Sequence, residues 1–257
     1  MALTEEETIY NLALGHIADY EVIEGQTNTK QYKICQRYYE NARQRTLKAH
    51  PWNESTTRVI IVQETFGPIF EFTNKYALPS DHLLIKSINE KGIDLLLWEV
   101  ESEFIKTDDG QTPQIWSDDS ILYSAGEYVS LSSITYLCNA NNTSATANSP
   151  ATDTTTWTTQ GGDLEVIFVR YIWNNTDPTT YSEDLKNAIA MQLAILISTR
   201  LTNDVKTKNS LIQEFEQITM PKARSVDAQE GKPRRYFNSK WIRARRSFSS
   251  RRLRSTL

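Results

Sequence analysis

The apolar residues of this chain change their spacing twice, and that change limits the folds open to it. Near the N-terminus they recur three and four apart, first at Ile9, Leu12, Ala13 and Ile17, then at Ile34, Tyr38, Ala42 and Leu47. This spacing places them on one face of a helix. Thr4-Glu5-Glu6-Glu7 has the hydroxyl and carboxylate spacing of a capping box, which predicts a first helix of about four turns. Pro51 ends the second helix, because the residue before a proline is driven out of the α region. The two are expected to pack as a hairpin.

From Arg58 to about Trp173 the pattern becomes short β-type runs: 59–62, Phe70-Glu71-Phe72, 95–100, Ile121-Leu122-Tyr123 and Tyr128-Val129-Ser130-Leu131, separated by Gly, Pro, Asn and Asp. The last, Leu164 to Trp173, is apolar on nearly both faces and reads as a central strand. Helical spacing then returns. Thr180-Tyr181-Ser182-Glu183 reads as a second capping box, followed by Leu185, Ala188, Ile189, Gln192, Leu193, Leu196 and Arg200 on one face. A third long helix carries Val205, Lys208, Leu211, Ile212, Phe215 and Ile218 and is expected to stop before Pro221. The order predicts an α+β protein: terminal helices at 1–57 and 178–230 forming a bundle, around an inserted antiparallel, sandwich-like β domain at 58–177. Residues 139–163, rich in Asn, Thr, Ser and Ala, fit neither period. They are expected to form a small module inserted at about 132–163.

Charge divides the chain elsewhere. Residues 1–220 carry 16 Lys+Arg against 30 Asp+Glu, whereas residues 221–257 carry 12 basic residues against Asp227 and Glu230 alone. A net charge of −4 thus hides an acidic body and a strongly basic tail. A segment so charged and without an apolar face is expected to order only on a partner. On DNA, nine phosphate contacts would give a salt slope of about −8, and aromatics would stack only on unpaired bases. On protein, Arg234, Arg235, Arg243, Arg245, Arg246, Arg251, Arg252 and Arg254 would pair with carboxylates while Tyr236, Phe237 and Trp241 filled pockets. The excess of Arg over Lys and the interleaved aromatics favour the protein partner, because a planar guanidinium recognises in a fixed geometry.

Motifs for catalysis are missing from the pattern. His16, His50 and His82 are scattered, no HExxH, CxxC, GxSxG or phosphate-loop spacing occurs, and Gly161-Gly162 lacks the following Lys-Ser/Thr. The carboxylate pairs Asp108-Asp109 and Asp118-Asp119 lie beside Gly110 and in a polar stretch and read as solvated loop residues. Cys35 and Cys138 read as reduced structural thiols, since no secretory signal opens the sequence. The expectation is a protein that is not an enzyme, without catalytic residues, cofactor, metal or membrane span, made in the cytosol.

Several stretches together resemble one known family. Tyr10-Asn11-Leu12-Ala13-Leu14 with Ile17, then Tyr39, Ala42, Leu47 and Pro51-Trp52, look like the N-terminal half of the tail tubular protein A family. Tyr76-Ala77-Leu78-Pro79-Ser80-Asp81 is similar to that family's step between strands. Tyr171-Ile172, Asp177-Pro178, Tyr181-Ser182 and the alanine-bearing run from Leu185 through Ala194 to Leu201-Thr202 resemble its strand, turn and helix. The likeness covers about residues 3–131 and 164–230. Residues 132–163 and the length of the basic tail depart from it.

The resemblance implies a bacteriophage virion protein: a head-tail connector whose subunits form a homo-oligomeric ring, typically a dodecamer, between the portal protein and the tail tube or nozzle protein. It also implies that the C-terminal segment docks along the portal, with packaged DNA making at most a passing contact. A second reading makes the chain a tail-associated module that binds a glycan or another protein through the 132–163 insert, with Trp157 as the contact residue.

Overall fold

The computed structural model describes residues 3–18, 21–22, 27–88, 97–145 and 148–230. Among them the chain forms a mixed α+β fold with helices at both ends and several small, mainly antiparallel sheets between. Helix α1 spans Glu5–His16 and α2 Lys30–Ala49. Twelve strands follow: β1 Thr56–Val62, β2 Asn74–Ala77, β3 His82–Ile88, β4 Trp98–Glu101, β5 Phe104–Thr107, β6 Gln114–Ile115, β7 Leu122–Tyr123, β8 Tyr128–Leu131, β9 Ile134–Cys138, β10 Asn142–Thr143, β11 Trp157–Gly161 and β12 Val166–Trp173. The chain returns to helix at α3 Glu183–Thr202, α4 Val205–Glu214 and α5 Met220–Gln229.

The first capping box forms as the sequence requires: Glu7 N–H donates to Thr4 Oγ1 (3.2 Å), and Thr4 N–H donates to Glu7 Oε2 (2.9 Å). The helix it opens is shorter than expected, 12 residues. The second cap sits elsewhere than the spacing suggested. Ser182, not Thr180, is the N-cap of α3 and accepts from Leu185 N–H at 3.3 Å. Thr180 belongs to a preceding 3₁₀ turn, Pro178–Thr180, started by Asp177.

Helix α3 is buried on nearly every side, including Ala190, Met191, Ala194, Ile195 and Ile197, which a single apolar face would leave out. The reason is its position: α1 and α2 both pack mainly on α3 rather than forming a hairpin with each other, and α4 and α5 cover a further side. A helix surrounded by partners needs no polar stripe, and its alanines let the neighbouring backbones approach. Tyr10 bridges α1 to α2 edge-on, with ring centroids 5.8 Å from Tyr32 and 5.4 Å from Tyr39. Together these residues form the largest core, which also takes in Trp52 and Ile172.

Pro221 does not end the last helix. Residues Phe215–Thr219 form a π turn between α4 and α5, and Pro221 falls in the first turn of α5, where a missing N–H is tolerated.

Strand β12 is central as predicted, between β1 and β3. Its Ile167, Val169 and Tyr171 meet Ile61, Tyr76, Leu78 and Ile105 in a second core, which joins this sheet to the sheet β2-β5-β4. The run Phe70-Glu71-Phe72 is not a strand: Glu71 has φ 69° and Phe72 N–H donates to Phe70 O at 2.9 Å, a γ-turn that breaks extended backbone.

The expected insert at 132–163 does not close on itself. Its strands β9 and β11 continue a sheet with β8 and β6, and its β10 pairs with β7. The unit therefore runs from about 112 to 165, and the Gln111–Val166 bridge closes its base on the end of β12. We call it the distal β module.

Candidate interface

The basic tail residues singled out from the sequence, Arg234, Arg235, Tyr236, Phe237, Trp241, Arg243, Arg245, Arg246, Arg251, Arg252 and Arg254, lie outside the described residues. What is described is the place from which the tail departs. Asp227, in the last turn of α5, accepts from Asn53 N–H (2.9 Å) through one carboxylate oxygen and meets His50 Nε2 (2.9 Å) through the other. Its own carbonyl accepts from Asn53 Nδ2 at 2.8 Å, and Arg224 donates to Ala49 O at 2.9 Å. The end of α5 is thus fastened to the end of α2, where His50 packs edge-on against the buried Trp52. Pro51 makes this contact available, since the backbone leaves the helix at His50 and frees Asn53 N–H to reach the carboxylate.

A second polar knot fixes the passage from β12 to α3. Arg43, 1% exposed, donates to the carbonyl of Asn175 and to Glu40 Oε2. Tyr181 donates to the same carbonyl at 2.7 Å, and Asn175 Nδ2 donates to Thr180 Oγ1 at 2.8 Å. Burial works against the Arg43 charge, but the contacts with Glu40 and Tyr181 prevail and hold its pKa above the usual value. Lys186 ties the start of α3 to α1 through Glu5 (2.7 Å), and that carboxylate, with Glu183, raises the Lys186 pKa.

Trp157 is not a surface contact. It is 2% exposed and forms the centre of the small core of the distal module, with Tyr123, Val129, Tyr136 and Cys138. Its ring meets Tyr123 edge-on at 5.5 Å, and its indole N–H donates to Asn148 O at 3.0 Å. The Asn and Thr residues around it close turns: Asp153 accepts from the backbone of Thr155 and Thr156 and from the Thr155 hydroxyl, which draws its pKa down to about 2.

The groups weighed for chemistry take up structural positions. Asp108 accepts from Thr73 N–H (2.8 Å) and hydroxyl (3.0 Å), Asp119 accepts from Ser117 Oγ (2.6 Å), and His82 Nδ1 meets Pro79 O at 2.8 Å. Cys35 and Cys138 form no disulfide and are buried in separate cores, and burial is the main cause that raises the Cys138 pKa. Among the described residues no His, Cys, Asp and Glu cluster suits a metal ion, and no helix is long and apolar enough to cross a membrane.

Two apolar surfaces were not anticipated. The loop between β1 and β2 exposes Phe66 (79%), Ile69 (99%) and Phe70 (73%). On the face of the central sheet opposite the second core, Ile60, Pro113, Tyr128, Val129, Val166 and Phe168 line an open cavity of about 140 Å³ at the root of the distal module. The Gly67-Pro68 pair inside an apolar run was the available signal for the loop, since such pairs punctuate turns. Nothing local signalled the cavity, which combines residues more than a hundred positions apart. No protein-family model and no curated protein matches this chain.

Proposed function

We propose that this protein is a structural virion protein, a head-to-tail adaptor of short-tailed phages that forms a ring, typically of twelve copies, between the portal protein and the tail tube or nozzle. In this reading the helices at 1–57 and 178–230 form the bundle that packs side by side around the ring, and the sandwich-like β domain at 58–177 faces the tail. The basic segment 231–257 docks on an acidic portal surface through its arginines and aromatics.

The observation that carries the reading is the fastening of α5. The basic tail begins immediately beyond a helix end held to α2 by Asp227, Asn53 and His50. A strap tethered to a fixed point keeps a high effective concentration near its groove, which a strap on a loose helix would lose. The like charge of tails crowded in a ring supports the same view, because each would need an acidic surface, and residues 1–220 of a neighbour are acidic. The ordered likeness of residues 3–131 and 164–230 to the adaptor family supplies the virion context. A glycan-binding module at 132–163 loses its main argument, since Trp157 is core.

Mixing the purified chain with the portal of the same virus should give ring-shaped complexes by negative-stain microscopy and sedimentation. Deleting residues 234–257 should abolish attachment while leaving circular dichroism unchanged. A chain that never joins the portal sinks the reading, as does a deletion that removes DNA binding and leaves portal attachment intact.

A further inference from the structure

The 66–72 loop is built to protrude. A Cβ on Gly67 would lie 2.4 Å from Thr73 O, so only glycine lets the two sides of the loop close to this distance. Thr73 is in turn held by Asp108 through its N–H and hydroxyl. At the tip, Glu71 is held at φ 69° in a γ-turn, a strained conformation for a residue with a side chain. The result is a narrow neck carrying three large apolar side chains into solvent. Exposed apolar side chains gathered this way mark an interaction site rather than ordinary surface.

The cavity on the face of the central sheet opposite the second core has the size to receive one of these rings. A cavity of roughly 150 Å³ accepts a benzene ring, and this one measures about 140 Å³, with a mostly aliphatic and aromatic wall that Thr112, Gln114 and Glu127 complete. One opposite-charge pair is available. Glu71, exposed, adjoins Phe70 on the loop; Arg58, exposed, lies two residues from Ile60 on the same side of β1. Glu127, which also lines the cavity, accepts from Ser124 N–H at 3.0 Å. The loop does not fill its own cavity, as the exposure of Phe66, Ile69 and Phe70 requires.

We propose that the 66–72 loop is a plug that seats Phe70 in this cavity on a second copy of the chain, with Glu71 paired to the second copy's Arg58. Plug and socket are different surfaces, so the contact is head-to-tail and propagates until it closes. The proposal deepens the adaptor reading and rests on it for closure into a ring.

The test uses the full chain in two single variants, I69C in the plug and Q114C at the socket rim. Cys35 and Cys138 are buried and do not compete. Oxidising the two variants mixed at high concentration should give a disulfide-linked dimer that neither gives alone. Adding F70S to the I69C chain should abolish it; adding E71K should slow it several-fold, and R58E on the Q114C chain should restore the rate. Absence of a mixed disulfide overturns the proposal. So does I69C alone dimerising as fast as the mixture, or an I69C/Q114C chain that links only within itself. Phe70-dependent flotation with phosphatidylcholine and phosphatidylglycerol vesicles, without a mixed disulfide, would assign the loop to a lipid surface instead. Portal attachment without the mixed disulfide removes the plug and keeps the adaptor; a mixed disulfide without portal attachment does the reverse.

Discussion

The helical region and the distal β module hold themselves together in opposite ways. Around α3 some two dozen buried apolar residues from both ends of the chain share one core, and polar knots at Arg43, Lys186 and Asp227 fasten its margins. Among the described residues the core cluster of the distal module holds five buried side chains, of which Trp157 is the largest, and the module relies on hydrogen-bonded turns for the rest. A large core spreads the cost of any one change over many contacts. A small core concentrates it, so the residue that looks most like a ligand contact from the sequence is the one the module can least lose.

Removing Trp157 gives the largest expected effect. W157A should cost about 3–5 kcal/mol, and because the ring anchors the module alone, hydrogen exchange should show 112–165 opening while α3 stays protected. Loss of protection throughout would break the contrast, since it would make the two regions one cooperative unit. Next is R43M, which removes charged hydrogen bonds to Asn175 O and Glu40 and should cost about 2–3 kcal/mol by urea denaturation. Glu40 keeps access to water, which limits the loss. D227A should cost about 1–2 kcal/mol, with exchange increasing in α5 and not in α3; unchanged exchange in α5 would mean the clamp is incidental.

Smaller effects sharpen the boundary between the regions. S182A should lower stability by about 1 kcal/mol, as for other lost N-caps, and a wild-type melting curve would return the cap to Thr180. In the second core, between the central sheet and the β2-β5-β4 sheet, burial and then the Asp81 carboxylate push the Tyr171 hydroxyl up to about 12. An unfolded tyrosine ionises near 10. The contribution of the neutral hydroxyl is therefore complete below about pH 10 and is lost as pH rises towards 12. Y171F should cost about 1 kcal/mol or less at neutral pH and flatten the alkaline part of the stability curve, read by denaturation at a series of pH values. An identical alkaline loss in Y171F would assign that loss to other groups.

The regions also differ in how much of them the sequence revealed. Both terminal helices of the first pair, the end of α2 at Pro51 and the central place of β12 follow from spacing, because periodicity records which face is buried. Strands β2, β3, β5, β6, β9, β10 and β11 were not anticipated; β2, β5 and β11 are short, carry polar residues such as Asn74, Lys106 and Thr158, and take their identity from the pairing partner. Of the surfaces, the loop was misread as a strand, because its phenylalanines match β propensity and the positive φ of Glu71 leaves no mark in composition.

By itself, the sequence determined the helix–strand–helix order, the first cap and the division into an acidic body and a basic tail, all of which depend on residues near one another in the chain. Tertiary structure alone decided that α3 is enclosed, that Trp157 is core, that Asp227 fastens the helix from which the tail leaves, and that Ile60 and Tyr128 share a socket. Each of these joins side chains separated by tens to hundreds of positions. Burial and hydrogen bonding across such distances depend on which surfaces the fold brings together, and local spacing carries no record of that.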